Sequence, residues 1–183
     1  RLPAEAAREL RRLEVIEQHR VSHGAFVPVQ LQRLLDMDFG GRDLGSLQAL
    51  MCCGSPLPLP VKREIPRRLG CQLIELYGLT EGLVTTLDPE DFERKIESVG
   101  RPVPGQQLLL LGDDDRPVPP GEPGEIVGLG CLTMERYHNR PDATLESTWI
   151  DPAGRRWLRT GDIGRLDDEG FLYLVDRKKD LIL

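Results

Sequence analysis

Apolar positions recur at helical spacing over the first twenty residues. Ala6, Leu10, Leu13 and Ile16 lie three or four apart, which predicts a helix over 3–20 with Pro3 in its first turn. The unbroken run Gly24-Ala25-Phe26-Val27-Pro28-Val29 predicts a buried strand. Leu31, Leu34 and Leu35 then return to helical spacing as far as about Met37. The alternation repeats. Residues 47–53 form a second apolar strand ended by Gly54-Ser55-Pro56; Val61, Ile65 and Leu69 mark a second helix; residues 71–76 form a third strand ended by Tyr77-Gly78. Strands alternating with helices over short links imply right-handed crossovers and parallel pairing. In such sheets ligands bind beyond the carboxyl ends of the strands, where Gly54-Ser55 and Tyr77-Gly78-Leu79-Thr80-Glu81 fall.

The texture changes after about residue 88, where prolines and glycines punctuate short apolar runs. Residues 108–111, 125–129, 157–159, 164–166 and 171–175 read as strands, and one short helix is expected at 141–146. Asp113-Asp114-Asp115 and Gly121-Glu122-Pro123-Gly124 are turns, and Asp167-Asp168-Glu169-Gly170 is a hairpin turn between the last two strands. This half reads as an antiparallel sheet or a small distorted β-barrel. The fold class is therefore α/β: a portion of a parallel βαβ sheet over 1–88, then a small antiparallel distorted barrel over 89–177.

Composition narrows the ligand. The chain is 39% hydrophobic and 30% charged with a formal charge of −6, which argues against a nonspecific nucleic-acid binder, since that function needs a basic face. Cys52, Cys53, Cys71 and Cys131, with His19, His23 and His138, make neither a zinc pattern nor a disulfide framework. The four cysteines read as buried thiols in a reducing cytoplasm. No apolar run approaches the ~20 residues of a membrane helix, and no signal peptide is visible. Arg1 in place of a methionine, and the closing Leu181-Ile182-Leu183, suggest a piece of a longer protein. The oligomeric state is not legible.

Two groups of residues carry candidate chemistry. In Arg156-Trp157-Leu158-Arg159-Thr160-Gly161-Asp162, a carboxylate follows a Thr-Gly turn, where it can accept hydrogen bonds from a vicinal diol such as ribose. Fifteen residues later Asp176-Arg177 follows a strand, and a guanidinium there can hold a phosphate or the same ribose. In the earlier turn, Tyr77 offers a flat face to a purine. Thr80 can bond a phosphate oxygen, and Glu81 can hold magnesium. Each motif alone has an ordinary reading as a turn or a surface ion pair. Their combination points to a nucleotide site.

With these residues in hand, the chain resembles the adenylate-forming superfamily of acyl-CoA synthetases, adenylation domains and beetle luciferases. The resemblance runs from Val15 to Ile182. It rests most on Tyr77-Gly78-Leu79-Thr80-Glu81, Thr160-Gly161-Asp162 and Asp176-Arg177-Lys178-Lys179-Asp180-Leu181-Ile182. Gly54-Ser55-Pro56-Leu57, Ser98-Val99-Gly100-Arg101-Pro102, Gly121-Glu122-Pro123-Gly124-Glu125-Ile126 and Tyr137-His138-Asn139-Arg140-Pro141 also fit. The resemblance implies an internal fragment of the large N-terminal domain of a fatty-acyl- or aryl-CoA ligase, an enzyme of fatty acid metabolism or a near relative. It implies ATP, a carboxylic acid, Mg2+ and coenzyme A as ligands, with an acyl-adenylate, AMP and a thioester formed in turn. Tyr77 would stack on adenine beside Gly78, Thr80 would bond the α-phosphate, and Glu81 would hold magnesium. Asp162 would take the ribose hydroxyls, and Arg177 would reach ribose or phosphate. Gly54 and Ser55 would border the acyl and adenine pocket. Lys179, within 178–183, would be the hinge toward a C-terminal domain.

Cys52-Cys53-Gly54-Ser55 departs from the family's usual Ser-Gly-Gly-Ala. Leu129, Cys131 and Arg136 stand where it usually has Arg, Pro and Gly. The family's upstream phosphate loop and its C-terminal catalytic lysine are not in the sequence, so the 183 residues alone are expected to be inactive. Two other functions fit the same residues: an adenylation enzyme loading a carrier protein, and a noncatalytic nucleotide-binding module.

Overall fold

A computed structural model describes residues 4–177, and the side chains of 5–175. The chain divides into two compact units. Residues up to Tyr77 together with Leu87–Ile96 form one; Gly78–Thr86 together with Glu97 onward form the other.

The first unit opens with α1 (Ala4–His19), β1 (His23–Phe26) and α2 (Pro28–Leu35), and continues with β2 (Ala49–Cys52), α3 (Leu59–Leu69) and β3 (Gln72–Gly78), whose last residue enters the second unit. The apolar stripes of the sequence become its core: Leu13 and Ile16 from α1, Leu31 and Leu34 from α2, Leu50 from β2, Ile65 and Leu69 from α3, and Leu73 from β3 are buried. The three strands are parallel. His23 pairs with Ala49 and Ala49 with Gln72, so β2 is central. Arg20, at φ 48, closes α1 while the Val21 N–H donates to the Ile16 carbonyl at 3.0 Å, a Schellman ending. The first strand is shorter than the apolar run suggested. Pro28 has the fixed φ that suits a first helical position, so α2 begins there and takes Val29 with it.

The second unit is antiparallel. β4 (Val84–Leu87) pairs antiparallel with β5 (Arg101–Pro102). β6 (Gln106–Leu111), β7 (Pro123–Gly130), β9 (Arg156–Leu166) and β10 (Leu172–Arg177) form a half-barrel in the order β10-β9-β7-β6. β8 (Thr148–Ile150), which follows α4 (Pro141–Glu146), also pairs with β9. Leu111, Val127 and Trp157 are the buried centre, with Leu109, Leu129 and Trp149 packed against them. Asp151 pins the β8–β9 connection. Its Oδ1 accepts from the N–H groups of Ala153 at 2.9 Å and Arg155 at 2.8 Å, and its Oδ2 from Arg155 Nε at 2.6 Å and the Trp157 indole at 3.0 Å. Burial works to raise its pKa, yet the Arg155 N–H, the Trp157 indole and the Arg155 guanidinium hold the carboxyl down at about 2.

The two strands expected at 157–159 and 164–166 are one. β9 runs through Thr160-Gly161-Asp162 without turning. Against β7, Arg159 pairs with Val127 and Ile163 with Glu125, so residues 160–162 oppose the single residue Ile126. The motif is a bulge in a strand and not a tight turn.

Candidate functional site

The candidate residues divide between the units: Gly54, Ser55 and Tyr77 fall in the first, and Gly78, Thr80, Glu81, Asp162 and Arg177 in the second. In the first, the register pairs Cys52 with Glu75. The loop Cys53–Pro58 therefore leaves β2 at the height from which β3 runs on to Tyr77. Gly54, at φ 98, and Ser55 are exposed in that loop, and Tyr77 is half-buried. Beneath them lies a buried ion pair that the sequence reading did not single out. Lys62 Nζ meets Glu75 Oε2 and donates to the Ile96 carbonyl at 2.9 Å, while Glu75 Oε1 accepts from the Leu57 N–H at 3.3 Å. Burial raises the Glu75 carboxyl above its ordinary value, with Lys62 and Leu57 acting against it. Burial, helped by the charge of Glu75, pushes the Cys52 thiol up to about 12, so it stays protonated and is no nucleophile.

In the second unit, Gly78–Leu83 is a tight turn. The Leu79 N–H donates to the Leu83 carbonyl, and the Gly82 N–H to that of Leu79, both at 3.0 Å. Gly82 sits at φ 114, and a Cβ there would lie 1.9 Å from the Leu132 carbonyl oxygen. Only glycine allows the two backbones to approach so closely. The approach brings the segment after β7 onto Glu81. The Met134 N–H donates to the Glu81 carbonyl at 2.8 Å, and the Tyr137 hydroxyl to Glu81 Oε1 at 2.7 Å. Exposed Thr80 donates its hydroxyl to Glu81 Oε2 at 3.1 Å. Above all the Tyr137 hydrogen bond, then that of its own backbone N–H and last that of Thr80, keeps the Glu81 carboxyl below its ordinary value against the opposing effect of burial. Tyr137 stood in a block that fits the family, but nothing in the sequence pairs a phenol with a carboxylate fifty-six positions away.

Asp162 is buried in the bulge of β9. Thr160 Oγ1 donates to the Ile126 carbonyl at 2.9 Å and accepts from the Asp162 N–H at 3.1 Å, while Gly161 takes φ 73. Thr160 thus stitches the bulge and Gly161 supplies the left-handed turn of backbone that swings Asp162 out of alternation. On the other side the β9–β10 ladder slips by one residue between Leu174 and Asp176, which sets Asp162 directly opposite Arg177. The acid and the cation that were fifteen residues apart in sequence share one rung. The side chain of Arg177, and all of Lys179, lie outside the described set.

Among the described residues no group of three or more metal-ligating side chains converges. A lone, half-buried carboxylate does not fit a resident metal. It does fit Mg2+ arriving with a nucleotide, because that ion takes one or two carboxylates and draws its other ligands from phosphate and water.

Known proteins resemble this chain in sequence and fold. A family model described as AMP-binding enzyme matches residues 2–138. A long-chain-fatty-acid–CoA ligase of Escherichia coli is 42% identical over 151 residues, which are 82% of this chain and 26% of that protein. An indoleacetate–CoA ligase of Aromatoleum aromaticum is 36% identical over 173 residues, 93% of this chain and 33% of its own length. The structure of O-succinylbenzoate coenzyme A synthetase from Bacillus subtilis, in complex with ATP and magnesium ion, superposes with a TM-score of 0.82 at 35% identity. That match covers 96% of this chain and 35% of the synthetase. The chain thus spans between a quarter and a third of the relatives' length.

Proposed function

The chain belongs to the AMP-binding enzyme family, and on that footing we propose that the protein is an ATP-dependent acid–CoA ligase acting on a fatty or aromatic carboxylic acid. The carboxylate oxygen attacks the α-phosphorus of ATP, the bond to pyrophosphate breaks, and an acyl-adenylate forms. The coenzyme A thiolate then attacks the acyl carbon, and AMP leaves as the thioester forms. Bound Mg2+ would neutralise phosphate charge in the first step.

The observation that carries this reading is the anionic, half-buried Glu81 carboxylate held by Tyr137 and Thr80. In the proposal Glu81 meets the nucleotide-borne metal, and Thr80 donates to the α-phosphate. Tyr77 stacks on adenine with Gly78 opening the turn, and Gly54 and Ser55 border the pocket of base and acid. Asp162 accepts the two ribose hydroxyls, which fixes the nucleotide without consuming its phosphates, and Arg177 binds ribose or phosphate from the opposing strand. Lys179 pivots a following domain between the two half-reactions. Positioning of this kind converts two encounters into one ordered site. The acid classes come from relatives whose names specify a long-chain fatty acid and indoleacetate.

The test is a panel of fatty and aromatic acids offered to the full-length protein with ATP and coenzyme A, following AMP release. Acid-dependent AMP and thioester in equal amounts support the proposal. ATP binding with no acid-dependent AMP overturns it in favour of a noncatalytic nucleotide-binding module. For the 183-residue chain alone we expect no acid-dependent ATP–pyrophosphate exchange; measurable exchange would refute that.

A further inference from the structure

Glu81 is gripped by two hydroxyls of very different character. Tyr137 holds Oε1 at 2.7 Å, the length of a charge-assisted phenol–carboxylate bond, and is itself held in place. Its N–H donates to Thr144 Oγ1 at 3.0 Å, and that hydroxyl donates to the Arg140 carbonyl at 2.9 Å, so the start of α4 is tied to it. Three residues earlier, the Met134 N–H bonds the Glu81 carbonyl. Backbone and side chain of Glu81 are therefore clamped by one segment, 134–137. Thr80 holds Oε2 from an exposed position and at 3.1 Å. A threonine hydroxyl has one proton. It cannot donate to Glu81 and to a phosphate at the same time.

We propose that Tyr137 is a positioning residue that fixes Glu81 Oε1 so that Oε2 is the oxygen offered to nucleotide-borne magnesium, and that Thr80 masks Oε2 until a phosphate draws its hydroxyl away. The proposal rests on the reading that Glu81 meets the metal of Mg-ATP. Its consequence is an order of events. With no nucleotide, Oε2 already accepts from the Thr80 hydroxyl, so free Mg2+ has to compete with that hydroxyl for it. A bound phosphate would take over the Thr80 hydrogen bond and free Oε2 for the metal it carries, while Tyr137 keeps the carboxylate from rotating to follow Thr80. Phosphate and metal binding are then coupled through one hydrogen atom, and the coupling is reciprocal.

The test uses the full-length protein with three conservative variants and four readouts: binding of a non-hydrolysable ATP analogue as Mg2+ is varied, AMP binding without Mg2+, Mn2+ binding without nucleotide, and thermal midpoint. Tyr137→Phe should raise the Mg2+ concentration needed for tight analogue binding by about 10–100-fold, the usual cost of removing a partner of a metal ligand. AMP affinity and thermal midpoint should stay at wild-type values. Thr80→Val should bind Mn2+ without nucleotide more tightly than wild type, because Oε2 is unmasked. Glu81→Gln should abolish the Mg2+ effect altogether. If Glu81→Gln leaves the Mg2+ effect intact, the reading of Glu81 fails and the proposal with it. If Glu81→Gln removes the effect and Tyr137→Phe does not shift it, the reading stands and the positioning role is refuted. A Tyr137→Phe protein that loses AMP affinity and thermal stability together reduces Tyr137 to a structural residue and overturns the proposal. Mn2+ binding to Thr80→Val at or below the wild-type level refutes the mask.

Discussion

Replacing Lys62 by methionine should cost more than almost any other single change in the first unit, and the cost should depend on pH. Both partners of the ion pair are nearly sealed from water, at 5% and 4% exposure. Methionine keeps most of the apolar stem and removes the charge. Glu75 is then left with the Leu57 N–H, and the Ile96 carbonyl loses its donor. Breaking a buried pair by removing one partner costs roughly 3–5 kcal/mol, and an orphaned carbonyl roughly 1–3 kcal/mol. The two overlap because one ammonium serves both, so about 4 kcal/mol is expected near neutral pH. That is a large share of the ~5–15 kcal/mol that holds a domain folded.

The pH dependence follows from the sign of the Glu75 shift. Burial already raises the carboxyl, and Lys62 is the charge opposing it; without Lys62 the rise is greater. Above the ordinary carboxyl value the folded variant then binds a proton that the unfolded chain has released, so its stability falls as pH rises. The deficit of Lys62→Met should be smallest below about pH 4.5, the ordinary value for this carboxyl, and should grow until the folded-state carboxyl has ionised. The double variant Lys62→Met/Glu75→Leu leaves no charge at this buried position and should lie within about 1 kcal/mol of wild type or above it. Urea unfolding of the full-length protein and both single variants, followed by circular dichroism at pH 5 and 8, closes the cycle. A coupling of about 3 kcal/mol is expected. Additive single-variant costs, or a Lys62→Met deficit that does not change with pH, would refute the reasoning.

The remaining predictions concern the second unit. Asp162→Ala in the full-length protein should slow adenylate formation by about 10–100-fold, the value of one or two charge-assisted hydrogen bonds, and a near-wild-type rate would remove Asp162 from the site. Gly82→Ala must adopt φ 114 with its Cβ against the Leu132 carbonyl, so a loss of about 3 kcal/mol or more is expected, read as a lower thermal midpoint with the Glu81–Tyr137 contact broken. Asp151, held at about 2, contributes stability that is complete above the unfolded value of 3.8 and is lost as pH falls through about 2. Asp151→Asn should therefore be less stable than wild type at pH 7, and the gap should close on acidification; a gap that is constant with pH would show that the four hydrogen bonds act without the charge.

The helix–strand alternation of the first unit was legible because its stripes are long and its links short: Leu13, Leu31, Leu50, Ile65 and Leu73 all reach the core they were expected to build. Single residues with a backbone preference shifted the boundaries. Pro28 begins a helix inside an apolar run that looked like strand, and α4 starts at Pro141 as expected. Thr160-Gly161-Asp162 looked like a turn because glycine at positive φ and a small hydroxyl serve turns and bulges alike; pairing with β7 on one side and β10 on the other decides between them, and neither partner is local. The candidate ligands Thr80, Glu81 and Asp162 could be named from their chemistry. Their supports could not. Tyr137 reaches Glu81 across fifty-six positions; in the first unit the Lys62–Glu75 pair was hidden too, because Lys62 in sequence is one more charge on a helix with a solvated face.

The ladder between β9 and β10 also has a mechanical direction. Its last described rung joins Arg177 to Asp162, and the exposed bulge residue Val175 lies just inside it. A tension that lifts the chain away from the sheet beyond Arg177 would open rungs one at a time, and the first to part would be the one that holds Asp162. A tension along the strand would instead load every rung from Arg177 back to Leu172 together, a far stiffer response. The backbone around Asp162 is thus compliant to peeling and rigid to shear, so the direction in which following residues pull decides whether this acid keeps its place.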